Sequence, residues 1–201
     1  RQNVVVNAAL LKGAKVDVAL NDTAKEDTTK SQNFWKIKVH NLRILQSDVL
    51  VHMPGDSMRV GVQLGEVTAR GGDFDLDKAR YAVQRFDWRG GQLSYLRPFA
   101  PAVKGFDYQH VRLTAVGLGI DSLSFAAPRL SLSVRHAAFR EQSGLQVTQL
   151  RGHVQLDGEQ LRLPDLWLKL GASQLQAQLA FPFNTFATQH PGRMMLKGEG
   201  A

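Results

Sequence analysis

The 201-residue sequence contains no cysteine, so neither a disulfide bond nor a thiolate metal site can form within it. It has no run of about 20 uninterrupted apolar residues, the length of a membrane-spanning helix, and no basic-then-apolar signal sequence at its start. The chain begins without methionine in the strand-like segment RQNVVVNAAL and ends in a second strand-like segment. We therefore expect a segment of a longer protein, with any membrane anchor outside it.

Motifs of common active sites are also missing. There is no Walker loop and no GxSxG elbow, and the six histidines lack the HxH or HxxxH spacing of a zinc site. Asp73, Asp75 and Asp77 alternate like the first ligands of a calcium loop. The later positions do not match, because Lys78 replaces the glycine of that loop and Gln84 its bidentate glutamate. The sequence assigns no catalytic residue, metal ligand or cofactor, and we expect no enzyme.

Basic residues are in excess, with 25 Lys and Arg against 18 Asp and Glu and a formal net charge of +7. Such a charge favours acidic partners, either nucleic acid or anionic lipid. The basic residues, for example Arg135, Arg151 and Arg162, are nevertheless dispersed between strand positions, and no RNP-like aromatic segment accompanies them. We expect these side chains to keep an outer face in water, and we expect no nucleic-acid partner.

What the sequence does contain is alternation of apolar and polar residues, the period of a β-strand. In LRGHVQLDGEQLRLPDLWLKLGASQLQAQLAF, residues 150–181, an apolar residue stands at almost every second position. Asp157-Gly158 suits a two-residue hairpin turn, and Pro164-Asp165 breaks the run that follows. Segments such as RGGD, RGGQ and EQSG are typical of turns between other runs. The pattern predicts on the order of 15 short, mainly antiparallel strands and no helix.

The alternation slips in phase between Val83 and Phe86, which predicts a bulge or a bend and hence a curved sheet. A polar stretch without periodicity, residues 21–33, is predicted to be a mobile loop. We expect residues 1–201 to form a single elongated β-repeat segment. The alternating apolar residues predicted to line one side of it are Val60, Val62, Leu64, Phe74, Leu76, Val111, Leu113, Leu130, Leu132, Val134, Val154, Leu156, Leu166, Leu168, Leu170, Leu175, Leu179 and Phe181.

Periodicity alone leaves the architecture open. A closed β-sandwich or β-solenoid and an open, curved sheet would each place alternate residues on one side. A closed fold would bury that side in its own core, whereas an open sheet would leave it accessible.

The second half of the chain carries a family resemblance. The LSL strand, the segment AFREQSGLQVTQLRG and the run LRLPDLWLKLGASQLQAQLAF all lie within residues 106–181. Together they resemble the AsmA-like superfamily, especially the TamB proteins of double-membrane bacteria. The resemblance covers the last half of the chain well and the first half in its style of alternation.

That resemblance implies an all-β fold with a long, strongly curved, mainly antiparallel sheet that forms a U-shaped hydrophobic groove, or β-taco. It implies a periplasmic segment of a protein that is anchored in the inner membrane by a part outside this chain. Such a protein carries phospholipids along the groove between the inner and outer membranes and supports outer-membrane biogenesis. The implied partners are phospholipid acyl chains and, through regions outside this chain, an outer-membrane assembly protein. The alternative function is a non-enzymatic β-scaffold that binds proteins during outer-membrane protein assembly.

Overall fold

The computed structural model describes residues 2–19, 35–53, 57–182 and 197–199, which form one large, open and mostly antiparallel β-sheet. The all-β prediction is confirmed. No helix that could cross a membrane is found in these ranges. The predicted loop at residues 21–33 lies outside the described residues.

The sheet contains eleven strands. Strands β3 to β10 follow one another in the sheet in chain order, each antiparallel to the next. β1 and β2 pair in parallel with β3, and β11 pairs antiparallel with β10. The strands are β1 Gln2–Lys12, β2 Lys15–Ala19, β3 Trp35–Met53, β4 Met58–Asp75, β5 Arg80–Leu96, β6 His110–Ala126, β7 Arg129–Glu141, β8 Gln146–Leu156, β9 Gln160–Leu170, β10 Ser173–Pro182 and β11 Lys197–Glu199.

β1 and β2 lie end to end along β3 and together form its parallel neighbour. Gly13, which has a φ of +66°, lies in the break between these two strands, and the chain continues in the same direction after it. The buried Ser47 secures this break, because its hydroxyl oxygen accepts a hydrogen bond of 3.1 Å from the Ala14 N–H. The Asp48 N–H donates to the Ala14 carbonyl at 2.8 Å, so the pairing with β3 resumes at once.

The strands are fewer and longer than predicted, and β3 alone has 19 residues. RGGD and RGGQ, predicted as turns, lie inside β4 and β5, and Pro164-Asp165 lies inside β9. Proline is tolerated there because the pairing of β9 is interrupted at this point on both sides, between Arg151 and Gln155 of β8 and between Ala177 and Leu179 of β10. EQSG does provide the turn from β7 to β8, as predicted.

The phase slip between Val83 and Phe86 corresponds to a step that neighbouring strands share, without a shift in the register between β4 and β5. Val83 pairs with Gly72 and Phe86 pairs with Ala69, so the two pairs are three residues apart on both β4 and β5. Both pairs nevertheless face the same side of the sheet. β3 makes the same step at the same level. In β4 the step contains Gly71, whose φ of +63° interrupts the extended backbone. Because the steps are aligned, the register and the apolar side are both preserved.

The centre of the sheet holds a small buried cluster of Val67, Trp88 and Val116 on three neighbouring strands. Six hydrophobic residues are buried in the part of the chain that the structure describes: Val67, Trp88, Val116, Ala137, Val147 and Ala177. Two packed layers usually enclose a larger core than this. The hydrophobic side chains packed around the cluster are only partly buried: Ile44, Val62, Leu64, Phe86, Leu93, Leu113, Leu118 and Phe139.

Gly91 provides the space for the Trp88 indole, because a Cβ at this position would overlap the ring. We therefore expect Gly91→Ala to lower the free energy of unfolding by about 1–3 kcal/mol, as for other overpacked core positions. Gly117→Ala is the matched control on the next strand, since no atom lies within 4 Å of its Cβ position. Its effect should stay within about 0.5 kcal/mol in urea unfolding. Equal destabilisation by both substitutions would show that the indole does not cause the loss.

Candidate functional site

One side of the sheet is apolar from strand to strand. Residues directly paired across neighbouring strands share a side, so the register defines rows that cross the sheet. One row contains Val4, Ile37, Phe74, Tyr81, Phe125, Leu130, Leu156, Leu161 and Phe181. A second contains Leu11, Ile44, Val67, Trp88, Leu118, Ala137, Leu150, Leu168 and Leu175. We call the side that carries these rows the apolar face.

Each row crosses nine strands without a charged residue. With neighbouring strands about 4.8 Å apart, a row is about 38 Å long. Leu130 and Leu132 on this face are half-buried, whereas Ser131 between them is exposed. The apolar side chains thus shield one another in part but remain accessible from outside the sheet.

Almost all of the residues predicted to line one side lie together on the apolar face. Seventeen of the eighteen are placed there by the register, from Val60 on β4 to Phe181 on β10. Leu76 is the exception, because it lies in the turn after β4 with its side chain exposed. Its N–H donates to the Trp35 carbonyl of the neighbouring β3 at 3.1 Å, so the residue continues the backbone pairing of β4 with β3 past the end of the strand. The sequence pattern of alternating apolar residues that includes Phe74 continues to Leu76, although the strand itself has already ended.

The sequence prediction missed the centre of the apolar face. Val116 and Leu118 follow a step of three residues in β6, so the period-two pattern that starts at Leu113 does not reach them. The step occurs at Ala115, an exposed residue with a φ of +52°. The sequence does contain a signal for these residues, because large apolar residues resume at Val116 and Leu118 one position out of phase with Leu113. The same change of phase precedes Trp88 after Val83.

The opposite side of the sheet carries the charges. Arg135 bridges two carboxylates there: it pairs with Asp87, and its Nη1 donates to Asp121 Oδ1 at 2.5 Å. Its guanidinium lies over Gly119, where a Cβ would contact it. The Arg135 and Asp87 side chains are only partly exposed, and an ion pair at a solvent-facing surface stabilises a fold by about 1 kcal/mol or less. Further pairs on this side are Lys36–Asp73 at 3.7 Å, Arg43–Glu66 at 2.8 Å and His153–Asp165 at 2.6 Å.

A cavity of about 500 Å³ also lies on the charged side, near the parallel edge of the sheet. Lys15, Asp17, Asp48 and Arg112 contribute to its lining, so charges of both signs surround it. Val49, Val62 and Leu93 also border it, so it adjoins strands that carry the apolar face, but the mixed charges of its lining do not select one class of charged ligand. We therefore do not assign the function to this cavity.

The connection between β5 and β6, residues 97–109, is fixed in shape by the buried Asp107. Its Oδ2 accepts a hydrogen bond of 3.0 Å from the Val103 N–H and lies 2.8 Å from His110 Nδ1. Its Oδ1 accepts a bond of 3.0 Å from the Gln109 N–H. These contacts, the Val103 N–H above all, lower the pKa of Asp107 to about 2. The carboxylate is therefore ionised at neutral pH and stabilises the loop from inside.

Within the described ranges, no group of three or more His, Asp or Glu side chains is placed to hold a metal ion. No protein-family profile matches the chain, and no curated protein or solved structure is significantly similar to it.

Proposed function

We propose that the chain is a segment of an AsmA-like periplasmic protein and that its apolar face carries phospholipid acyl chains between the inner and outer membranes. The observation that carries this proposal is the pair of unbroken apolar rows across nine strands. Contiguous exposed apolar surface of this extent is uncommon on soluble proteins and marks a place where an apolar partner binds. The proposed protein is anchored in the inner membrane by a part outside this chain.

An acyl chain suits a surface that is apolar but chemically uniform. Each methylene transferred from water to the face gains about 0.8 kcal/mol, so a lipid tail is held without any specific contact. A leaflet of the bilayer contributes about 15 Å of hydrocarbon, so a tail occupies less than half of a row of about 38 Å. Because successive positions in a row are alike, a bound tail can move along the row at little cost in free energy.

The proposed groove places the polar headgroup at its mouth and the tails against the rows. The aligned three-residue steps support this arrangement, because steps of this kind are points at which a strand can bend and the sheet can curve toward its apolar side. In β4 and β5 the step lies between Ala69 and Gly72 and between Val83 and Phe86. The half-burial of the apolar side chains is also in keeping with a concave surface.

Photocrosslinking tests the proposal directly. We expect a photoreactive side chain at Leu132 or Leu168, which lie on the apolar face, to capture phospholipid. The same group at the exposed Ser131 or Lys169, one residue away on the opposite side, is expected to capture little. Mass spectrometry of the crosslinked protein and of a solvent extract identifies the lipid. Equal capture on the two sides, or none at Leu132 and Leu168, would contradict a lipid-carrying face.

A β-scaffold that binds proteins is the second candidate, and the end strands of the described sheet favour it. Among the described residues β1 and β11 stand at the two ends of the strand order, and a strand at the edge of a sheet can add a strand from another chain. If the chain is such a scaffold, photoreactive side chains at Leu132 and Leu168 should capture polypeptide and not lipid. The same experiment therefore separates the two functions.

A further inference from the structure

We propose that the β5–β6 loop, residues 97–109, binds the surface of an anionic lipid bilayer, a second site separate from the apolar face. The loop displays four large apolar side chains to solvent. Phe99 is 86% exposed, Tyr108 69%, Phe106 56% and Val103 55%. Phe99 is the most exposed of the large hydrophobic residues that the structure describes. Four such exposed side chains within ten positions of one loop are uncommon on a soluble surface and mark a place where an apolar partner can bind.

The loop holds these side chains in a defined arrangement. Besides the three contacts of the Asp107 carboxylate, the Asp107 carbonyl accepts from the His110 N–H at 3.2 Å. The Arg97 N–H donates to the Gln109 carbonyl at 2.9 Å, which closes the base of the loop, and the Ala100 N–H donates to the Arg97 carbonyl at 3.0 Å. Since the backbone is already ordered, binding through the aromatic side chains requires little additional ordering.

The charges that the loop presents outward are positive. Arg97 and Lys104 are exposed, whereas Asp107, the one acidic residue of the loop, is buried and bound internally. Phe99 also borders a small concavity shared with Met58 and Arg59 at the start of β4, which adds an apolar and a basic side chain beside it. Exposed aromatic groups flanked by basic residues match the interface of a membrane that contains anionic phospholipids.

A phospholipid surface is favoured over a protein partner because exposed aromatic and exposed basic side chains alternate along one short segment. Phenylalanine and tyrosine enter the headgroup region, where apolar rings and polar groups are both accommodated. Arg97 and Lys104 remain beside them at the level of the phosphates. A patch of four side chains gives weak, reversible attachment, which is compatible with a loop that touches a membrane without anchoring the protein.

The test uses the whole chain and vesicles of equal parts phosphatidylglycerol and phosphatidylcholine. The double variant F99S/F106S is expected to bind these vesicles at least about tenfold more weakly than the unmodified chain, because two exposed aromatic groups are lost. The matched control is L10S/L76S, which removes two exposed apolar side chains elsewhere and should bind normally. Lipid crosslinking at Leu168 is expected to persist in F99S/F106S, since the apolar face and the loop are different surfaces.

The charge contribution is tested separately with R97Q/K104Q. Binding to the phosphatidylglycerol vesicles should fall by about tenfold or more, and vesicles of phosphatidylcholine alone should bind all variants weakly. Three results would overturn the proposal: no vesicle binding by the unmodified chain, equal binding by F99S/F106S and L10S/L76S, or equal binding to both kinds of vesicle. Self-association that depends on Phe99 and Phe106, without vesicle binding, would instead identify the loop as a contact between copies of the chain.

Discussion

Replacing Trp88 with alanine is expected to lower the free energy of unfolding by about 3–5 kcal/mol, the range for truncating a large buried aromatic side chain. Trp88 is buried in the central cluster with Val67 and Val116, and its indole covers Gly91. Because the described sheet has so few buried hydrophobic residues, this one side chain supplies a large share of the enclosed contact. Urea unfolding followed by far-ultraviolet circular dichroism, which reports on the strands, measures the loss.

Trp167 is the matched control, since it is half-buried on the opposite side of the sheet. The Arg151 guanidinium carbon lies 4.7 Å from the centre of its ring, a contact that contributes about 0.5–1 kcal/mol at an exposed site. We expect Trp167→Ala to cost much less than Trp88→Ala. Similar losses from the two substitutions would show that the centre of the apolar face is not the core of the sheet.

Trp88→Phe refines the same experiment. The Trp88 Nε1 is buried and has no hydrogen-bond partner in the part of the chain that the structure describes. Phenylalanine keeps an aromatic ring and removes a buried donor that lacks an acceptor, so part of the cost of the smaller ring is offset. The loss for Trp88→Phe should therefore be well below that for Trp88→Ala.

The sequence predicted the class of fold and the side of each strand more reliably than the strand boundaries. Alternation is a local property, so it identified Leu130, Leu132 and Val134 as residues of one side without any knowledge of their neighbours. The glycine pairs RGGD and RGGQ were misread as turns for the same reason. Gly71 and Gly90 do adopt positive φ, as turn glycines would, but the chain continues in the same direction because the neighbouring strands stay paired. That pairing is not visible in a short window of sequence.

The β5–β6 loop shows a second limit of sequence reasoning. Its polar anchor depends on the Asp107 carboxylate meeting the Val103 N–H and the His110 ring, and no spacing rule predicts those contacts. The parallel pairing of β1 with β3 was also not predicted, because a strand carries the same alternation in either direction. Direction and loop shape both arise from contacts between distant residues.

The substitution that best separates an open lipid path from a packed β-core is Leu168→Asp. Leu168 is half-buried in a row of the apolar face, between Leu150 on β8 and Leu175 on β10. We expect the fold to survive with a loss of at most about 1–3 kcal/mol, because water that reaches the open face can hydrate the carboxylate. Bound phospholipid should fall at least about tenfold, since a charge in the row must lose hydration whenever an acyl chain covers it.

Lys169→Asp is the matched control because Lys169 is the next residue, is exposed and lies on the opposite side. It introduces the same carboxylate at nearly the same place in β9, and it changes the net charge by more than Leu168→Asp does. Lipid content, measured by mass spectrometry of solvent extracts, should remain normal in Lys169→Asp, and urea unfolding is measured for both variants. If Leu168→Asp instead unfolds the chain in step with the loss of lipid, the apolar face acts as a packed core, and the β-scaffold that binds proteins becomes the better account. Retention of both fold and lipid would show that acyl chains do not occupy this row.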